Sequence, residues 1–323
     1  MRELNFNQAI NEAIRQEMLK DKSVFVLGED ITHGMFGITA GLLQEFGHER
    51  LRDTPLSESA FVGAGIGAAV MGMRPIIDVM MYCFTYVAAD QIIQVAAKMS
   101  YMFAGQVKVP VVMLGLTGSL NSSVQHAEAP HGLYSNVPGL KIVMPSGPYD
   151  AKGLLKASIR DDNPVLFFLT MSLGMVKEDV PEDEYTVPLG VASVKRAGTD
   201  ATVVAMGPMV LSALKVAEEL ATEGISIEVI DPRSLVPLDK EKIFSSVRKT
   251  GRLVICDEAP STCGSAANIA ALVVEDDDTF GCLEAPVLRV TRPDTPSPFS
   301  PPLAAFVKPD EKKIKAALRK VLQ

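Results

Sequence analysis

Glu58 is the residue in this sequence with the clearest setting for acid–base chemistry. It follows Ser57, a residue type that often caps the N-terminus of a helix, and residues 61–72 behind it are mostly small and apolar. We therefore expect Glu58 in the first turn of a helix that otherwise packs against protein. A carboxylate in that position either complements the helix dipole or takes part in proton transfer.

Three glycines follow at alternate positions in the same predicted helix. A glycine costs about 1 kcal/mol relative to alanine in a helix interior, so we expect another part of the protein to approach this backbone closely. The three residues are Gly63, Gly65 and Gly67.

Acidic residues also end the first predicted strand. Residues 24–27 have the pattern of a short buried strand, and Gly28, Glu29 and Asp30 come directly after it. In α/β sheets, ligands bind at the carboxyl ends of the strands. These acids are therefore candidates for a site, with solvated turn residues as the alternative.

His126 is a candidate base in the polar loop of residues 117–130. Loops carry function disproportionately often, and packing does not require an imidazole there. His131 lies five residues further on, in a chain with only four histidines. Neither has cysteines or paired carboxylates at metal-ligand spacing, so proton transfer is favoured over metal binding. A solvated loop histidine is the alternative.

The composition indicates an ordered, acidic protein. Of the 323 residues, 47% are hydrophobic and 22% charged, and the net charge is −8. This charge argues against nucleic acid and anionic membranes as partners. We see no membrane-spanning stretch and no signal sequence, so we expect a cytoplasmic protein with free thiols at its four cysteines. With so few histidines and cysteines, a metal site built from this chain alone is not expected.

Helical and strand patterns alternate along the chain, which is typical of parallel sheets covered on both faces. In the first part, helices are predicted at 7–18, 39–46, 58–72, 85–101 and 148–160, and strands at 24–27, 75–81, 109–116, 141–144 and 164–169. In the second part, strands are predicted at 201–206, 226–230, 253–256 and 287–290, and helices at 210–223, 240–249, 266–274 and 311–322. We predict two three-layer α/β domains, 1–180 and 190–323, joined by an acidic linker at about 175–190.

Short motifs along the chain, taken together, resemble one family. They are LGED at 27–30, DTPLSE at 53–58, DQI at 90–92, AKM at 97–99, QH at 125–126, VPGLK at 137–141, PS at 145–146, YDAKGLLK at 149–156, IRDDNPV at 159–165, IDPRSLVPLD at 230–239 and TRPD at 291–294. From about residue 3 to the C-terminus, the chain resembles the beta subunit of the thiamine diphosphate-dependent decarboxylase component of 2-oxo acid dehydrogenase complexes (pyruvate, branched-chain and acetoin types). The resemblance implies an N-terminal pyrimidine-binding domain and a transketolase-like C-terminal domain.

The resemblance also implies roles for four residues. Glu58 matches the glutamate that hydrogen-bonds the cofactor's aminopyrimidine ring and activates it, a role that suits a buried carboxylate. Phe84 matches the aromatic residue that stacks on the pyrimidine. Glu29 matches a member of an acidic proton path, and His126 matches the histidine that serves the substrate and the lipoyl acceptor.

Magnesium and the diphosphate are held by the alpha subunit in this family, through a Gly-Asp-Gly pattern that this sequence lacks. The resemblance therefore implies an α2β2 heterotetramer with thiamine diphosphate at the α/β interface, and a lipoyl acyltransferase core as a further partner. Ser158, Asp161 and Asn163 fall where family members bind a structural potassium ion, largely through backbone oxygens. The alternative for that stretch is an ordinary turn at a helix end.

The chain departs from the family pattern around the substrate and the acceptor. Ala127, Glu128 and Ala129 replace Ser-Gln-Ser, Asn136 replaces a second histidine, residues 120–123 replace a glycine-rich stretch, and residues 169–171 replace a glutamate and a basic residue. These departures leave three functions open: a decarboxylase or acetoin-cleaving subunit, a transketolase-like carboligase, and a non-catalytic paralogue kept for assembly. The intact Glu58 favours an enzyme.

Overall fold

The computed structural model describes residues 2–118 and 123–323. Contacts divide the chain into two compact units, one formed by Met1–Thr117 and Tyr134–Leu189, the other by Gly118–Leu133 and Gly190–Gln323. The predicted boundaries assign residues 118–133 to the first domain, whereas their contacts lie in the second unit. The chain thus contributes to the second unit twice.

The first part of the chain alternates strands and helices. Its elements are β1 (Arg2–Asn5), α1 (Phe6–Lys20), β2 (Val24–Gly28), α2 (Leu42–Phe46), β3 (Leu51–Asp53), α3 (Glu58–Val70), β4 (Arg74–Met81), α4 (Ala97–Met102), β5 (Val112–Thr117), α5 (His131–Ser135), β6 (Lys141–Val143), α6 (Pro148–Arg160), β7 (Val165–Thr170) and β8 (Lys177–Val180). Single turns of 3₁₀ helix occur at Met35–Gly37 and Met171–Leu173, a longer 3₁₀ segment at Tyr82–Ala88, and a π segment at Gln91–Ala96.

A parallel sheet forms the centre of the first unit, with strands in the order β6-β7-β5-β4-β2-β3. Its central strands are apolar on both faces because helices cover both. On one face, Val24, Val26 and Ile76 join the core cluster of α1 and α6. On the other, Leu27 and Ile77 lie against α3. The predicted three-layer α/β arrangement is confirmed.

The second unit repeats this plan on a smaller sheet. Its elements are β9 (Ser193–Arg196), β10 (Ala201–Ala205), α7 (Met209–Ala221), β11 (Ile227–Asp231), β12 (Ser234–Val236), α8 (Lys240–Thr250), β13 (Leu253–Pro260), α9 (Ser265–Glu275), α10 (Asp277–Phe280), β14 (Leu288–Arg292), α11 (Pro301–Val307) and α12 (Glu311–Val321). The sheet order is β14-β13-β10-β11-β9, with only β9 antiparallel to its neighbour.

Three stretches differ from the sequence prediction. Residues 177–180, expected in a linker, form β8 and pair antiparallel with β1. The helix predicted at 85–101 is a series of 3₁₀, π and α turns. At its start the buried Thr85 hydroxyl donates to the Tyr82 carbonyl over 2.5 Å, a local bond that competes with the regular helical ladder. The helix predicted at 39–46 begins only at Leu42.

None of the four cysteines, all of which lie in the described ranges, forms a disulfide. Within residues 2–118 and 123–323, the structure has no helix with the length and apolar character needed to cross a membrane.

Candidate active site

Glu58 begins α3, as the sequence predicts, and its side chain is half-buried. Ser57 occupies the N-cap position, but its hydroxyl makes no capping hydrogen bond, so the predicted side-chain cap is wrong. The Ser57 carbonyl instead accepts from the N–H groups of Ala60 and Phe61 at 2.9 and 3.1 Å. The sequence suggested a buried carboxylate, whereas Glu58 is half-buried. It lies at the N-terminal end of a helix whose inner face packs on the sheet.

The glycines of α3 meet different surroundings. A Cβ at Gly65 would lie 2.5 Å from Ile77 Cδ1, and one at Gly63 would lie 3.0 Å from Gln91 Oε1. At Gly67 nothing lies within 4 Å. The close approach predicted for this helix thus occurs inside the unit at Gly65 and Gly63, and Gly67 faces open space.

Glu29 follows the last residue of β2 and lies close enough to Glu58 for their charges to interact. Its side chain is 5% exposed, and neither carboxylate oxygen has a hydrogen-bond partner among the described residues. Burial, and then the charges of Glu58 and Asp30, raise the pKa of Glu29. The structure therefore places Glu29 and Glu58, two of the predicted site residues, near each other. Because its pKa is raised, Glu29 binds a proton more readily than a carboxyl group in water does.

Asp78 is a third carboxylate at this place, and it was not predicted from the sequence as a site residue. It lies on β4 opposite Gly28 of β2. At Gly28 the φ angle is 153°, and a Cβ there would lie 2.1 Å from the Asp78 carbonyl oxygen, so the two strands meet at a position that only glycine fits. The single available signal was an aspartate within an otherwise apolar strand pattern.

A local irregularity of β4 holds the Asp78 side chain. Met80 has a φ of 58°, and its N–H donates to Asp78 Oδ1 over 2.8 Å, within a bulge between Asp78 and Met81. Bulges re-aim side chains and are common beside active sites. Burial raises the pKa of Asp78 to about 7, and the charge of Glu29 adds to the rise against the opposing hydrogen bond from Met80.

Phe84 lies in the 3₁₀ segment that follows β4. It is half-buried and packs against the core cluster of the first unit. Its neighbour Tyr82 is fully buried, stacks on Phe168 with ring centroids 3.7 Å apart, and donates its hydroxyl to the Met113 carbonyl over 2.6 Å. The backbone that carries Phe84 is thus fixed by a buried aromatic anchor.

His126 belongs to the second unit and is half-buried. Its backbone N–H donates to Ser123 Oγ over 3.4 Å. The departures at Leu120, Asn121 and Ser122 lie outside the described residues. Beyond His126 the chain becomes buried at Ala127 and Ala129.

His131 has a different environment from His126, although the sequence pairs them. It is 1% exposed, and its Nε2 lies 3.0 Å from Asp257 Oδ1. Asp257 was also missed, since nothing in the sequence of β13 connects it with a loop more than a hundred residues earlier. Within the described ranges, no three His, Cys, Asp or Glu side chains are grouped so as to hold a metal ion.

The proposed potassium ligands lie at the end of α6, where Arg74 already supplies a cation. Arg74 Nη1 donates to the carbonyl oxygens of Ile159 and Asp161, both over 3.0 Å. Its Nη2 lies 2.6 Å from Asp162 Oδ1. The guanidinium therefore binds the kind of backbone oxygen that would coordinate the ion.

The side chains of the predicted ligands are likewise engaged. The Ser158 hydroxyl donates to the Leu154 carbonyl over 2.8 Å, and Asp161 Oδ1 accepts from the backbone and side-chain N–H groups of Asn163 at 2.9 and 3.0 Å. Lys141 forms an ion pair with the other oxygen of Asp161. A further cation beside Arg74 and Lys141 would be repelled, so these residues do not fit a potassium ion.

Comparison with known proteins agrees with this architecture. Residues 2–176 match the family model "Transketolase, pyrimidine binding domain", and residues 190–314 match "Transketolase, C-terminal domain". A solved structure titled "Split gene transketolase, inactive beta4 tetramer" superposes with a TM-score of 0.81 over 99% of this chain and 98% of that one. At 22% identity, this similarity shows the fold alone.

Curated relatives cover the chain from end to end. The acetoin:2,6-dichlorophenolindophenol oxidoreductase subunit beta of Bacillus subtilis strain 168 is 45% identical over 97% of this chain and 95% of its own. The 2-oxoisovalerate dehydrogenase subunit beta and the pyruvate dehydrogenase E1 component subunit beta of the same organism are each 42% identical, the first over 99% of both chains and the second over 100% of both. The chain therefore belongs to the transketolase-like family of dehydrogenase beta subunits that act on pyruvate, branched-chain 2-oxo acids or acetoin.

Proposed function

We propose that this chain is the beta subunit of a thiamine diphosphate-dependent decarboxylase component that acts on a 2-oxo acid or on acetoin and passes the acyl group to a lipoyl acceptor. The relatives named for acetoin are 45% identical to this chain, and those named for pyruvate and 2-oxoisovalerate are 40–42% identical. Experiment must therefore decide which of acetoin, pyruvate and 2-oxoisovalerate is the substrate.

The observation that carries the proposal is the buried carboxylate of Glu29 beside Glu58, which has no hydrogen-bond partner among the described residues. A buried carboxylate without hydrogen bonds is costly unless it accepts a proton or meets a ligand. Two interacting carboxyl groups with different environments can hold one proton between them and pass it on. This arrangement fits the aminopyrimidine ring of thiamine diphosphate, which needs a proton donor and acceptor at its ring nitrogen.

When bound, thiamine diphosphate supplies the nucleophilic carbon and the electron sink for decarboxylation. Glu58 would hold the pyrimidine ring nitrogen and exchange a proton there, and Glu29 would return that proton through its carboxylate oxygens. Phe84 would contribute a rigid aromatic face. His126 would serve as the acid or base near the substrate and the acceptor.

The proposal includes a partner, because the described residues of this chain contain no group suited to magnesium. An alpha subunit would hold magnesium and the diphosphate in an α2β2 heterotetramer, and a lipoyl acyltransferase core would be a further partner. The names of the relatives, which designate beta subunits, support this division. Potassium is not part of the proposal, since Arg74 already donates to the carbonyl oxygens of Ile159 and Asp161. A cytoplasmic location stays a prediction.

The test is turnover by the chain co-expressed with its alpha subunit. Pyruvate, branched-chain 2-oxo acids and acetoin are offered with 2,6-dichlorophenolindophenol as an artificial electron acceptor. We expect reduction of the dye with one of these substrates, and none by the beta chain alone. Absence of turnover with all of them, in a complex that binds thiamine diphosphate by calorimetry, would reject the proposal.

Substitution of Glu58 tests the assigned role directly. Glu58→Ala should keep the fold and lose at least about 100-fold in turnover, the usual contribution of a positioned acid or base. Glu49→Ala, at an exposed glutamate of the first unit, is the control. Unchanged turnover in Glu58→Ala would remove Glu58 from the mechanism.

His126→Ala should slow the chemical or the transfer step.

A further inference from the structure

The loop that carries His126 is attached to the second unit by two buried polar contacts. Ala127, Ala129 and His131 are buried, whereas Val124 on the other side of His126 is 43% exposed. The chain thus passes from an exposed to a buried course at His126. Buried backbone needs hydrogen-bond partners, and here the side chains of Arg292 and Ser297 provide them.

The first contact fixes the carbonyl group of Ala127, the residue next to His126. Arg292 Nη1 donates to this oxygen over 2.8 Å, and the Ser297 hydroxyl donates to it over 2.9 Å. Arg292 Nη1 also donates to Ser297 Oγ over 2.7 Å, so the three groups form a closed triangle. Arg292 and Ser297 are both 4% exposed, which makes these bonds inaccessible to competing water.

The second contact fixes the other end of the buried stretch. His131 Nε2 lies 3.0 and 3.1 Å from the two oxygens of Asp257, and Asp257 Oδ1 also accepts from the Ala259 N–H over 3.0 Å. Burial alone would raise the pKa of Asp257, but His131 and the backbone N–H groups of Ala259 and Ala266 lower it. Gly132 completes the contact, since a Cβ there would lie 3.2 Å from Gly264 Cα.

Both contacts come from one edge of the sheet. Asp257 lies on β13 and Arg292 ends β14, and these two strands are parallel neighbours. The carboxyl ends of parallel strands form the edge at which α/β proteins place functional groups. In this unit, that edge supplies the anchors for a loop.

We propose that Arg292 and Ser297 are positioning residues for His126, with His131 and Asp257 as the second anchor of the same loop. The inference rests on the proposed function for the role of His126, but not for the attachment of the loop. Because consecutive Cα atoms are only 3.8 Å apart, a fixed Ala127 peptide restricts where the His126 backbone can lie. The buried contacts would keep it there through each turnover.

The test combines hydrogen exchange of the loop with steady-state kinetics, using the full chain in complex with its alpha subunit. Arg292→Met removes the guanidinium donors, and Ser297→Ala is a milder variant if the first fails to fold. Each should speed exchange in residues 123–133 about tenfold, the effect of one lost buried hydrogen bond. The kcat should fall about ten- to a hundredfold with KM for the substrate nearly unchanged, as expected for a misplaced catalytic group.

Arg289→Met is the matched control, since Arg289 lies on the same strand and donates to the Ser261 carbonyl over 2.6 Å but does not contact the His126 loop. Arg289→Met should change neither loop exchange nor kcat. Ser297→Thr, which keeps the hydroxyl, should have wild-type values of both. Unchanged loop exchange in folded Arg292→Met and Ser297→Ala would overturn the proposal, as would a loosened loop with normal kcat. If the wild-type complex shows no turnover, the proposed function is rejected. The attachment of the loop is then tested by hydrogen exchange alone.

Discussion

Asp78 illustrates how much the chemistry of one side chain depends on what surrounds it. The same carboxyl group would be ionised at neutral pH in water, yet burial raises its pKa from 3.8 to about 7. The unfolded chain gives up this proton near pH 4, whereas the folded protein keeps it until near pH 7. The native state therefore loses stability as the pH rises through this interval.

Asp78→Asn should abolish this pH dependence, because the amide keeps the acceptor for the Met80 N–H but cannot ionise. Relative to wild type, the variant should gain up to ~4 kcal/mol in free energy of unfolding between pH 4 and pH 8, the energy of a shift of about three units. Urea unfolding at both pH values measures the difference.

Asp162→Asn is the control of opposite sign. Hydrogen bonds from Lys108 and Arg74 lower the pKa of Asp162, so its ionised form stabilises the fold above its unfolded pKa and this contribution is lost at low pH. Asp162→Asn should therefore lower the free energy of unfolding more at pH 8 than at pH 4. A parallel pH dependence in wild type and Asp78→Asn would contradict the buried, proton-holding state of Asp78.

The residue scale also shows what can be read from sequence. Glu29 could be identified because it directly follows a buried apolar run, and strand ends have a known relation to sites. Asp78 could not, since its importance arises from pairing with Gly28 on another strand and from a bulge that no local pattern predicts. The missing cap at Ser57 has the same origin: residue type indicates the capacity to cap, and backbone geometry decides whether it is used.

Helices α1 and α6 are joined by a polar ladder inside an otherwise apolar contact. Lys152 is fully buried, and its Nζ lies 2.7 Å from Glu12 Oε1 and 2.8 Å from the Pro181 carbonyl oxygen. Arg160 and Glu17 form a two-point ion pair at 2.6 and 2.8 Å at the other end. Buried charges are tolerated here because each finds an opposite charge on the facing helix.

Removing one member of this ladder should be costly. Lys152→Ala would remove the buried cation beside Glu12, which keeps its ion pair with Arg2. It should lower the free energy of unfolding by about 3 kcal/mol, the lower end for a broken buried pair, whereas Lys152→Met should cost less because it fills the space. Lys20→Ala, which breaks the exposed pair with Glu184, should change stability by less than about 1 kcal/mol. Chemical denaturation of the three variants compares these values, and equal losses would argue against a buried ladder.

The end of α6 provides a second prediction for this helix. Thermal unfolding of the wild type should be the same in potassium and sodium buffers of equal ionic strength, since Arg74 already binds the carbonyls of Ile159 and Asp161. Arg74→Ala leaves these acceptors without a donor and should cost about 1–3 kcal/mol. A rise in melting temperature specific to potassium in the wild type would restore the ion to this site.

Across the whole molecule, large apolar side chains are exposed along two stretches of the first unit. Met71 is 83% exposed at the end of α3, and Tyr101 and Met102 of α4 are 90% and 59% exposed. Tyr101 and Met102, together with Phe103 at 52% exposure, form a continuous run of exposed apolar side chains, which is typical of a surface that another chain covers. They support the partner included in the proposed function.

Co-expression with the alpha subunit should yield a complex of two copies of each chain, because neither chain alone is expected to hold the complete site. Analytical ultracentrifugation measures its mass. Hydrogen exchange at residues 97–103 should slow on complex formation, with exchange in α12 unchanged. A beta chain that sediments alone in the presence of the alpha subunit would contradict this assembly.

The alternation of strands and helices was predictable over most of the chain because apolar periodicity is a local property. Helix α6 was predicted from its first to its last residue, since Pro148 favours a helix start and the following apolar spacing is regular. The β1–β8 pair was not, because it joins residues that are more than 170 positions apart. The assignment of residues 118–133 to the second unit depends on equally distant contacts.

The position of Gly28 also limits how this protein can be varied. Any other residue would place its Cβ 2.1 Å from a backbone oxygen of the neighbouring strand, and a backbone atom cannot rotate away. In a library randomised around the acidic cluster, we therefore expect every functional clone to retain glycine at position 28. Libraries designed to change the substrate should therefore leave the codon for Gly28 unchanged.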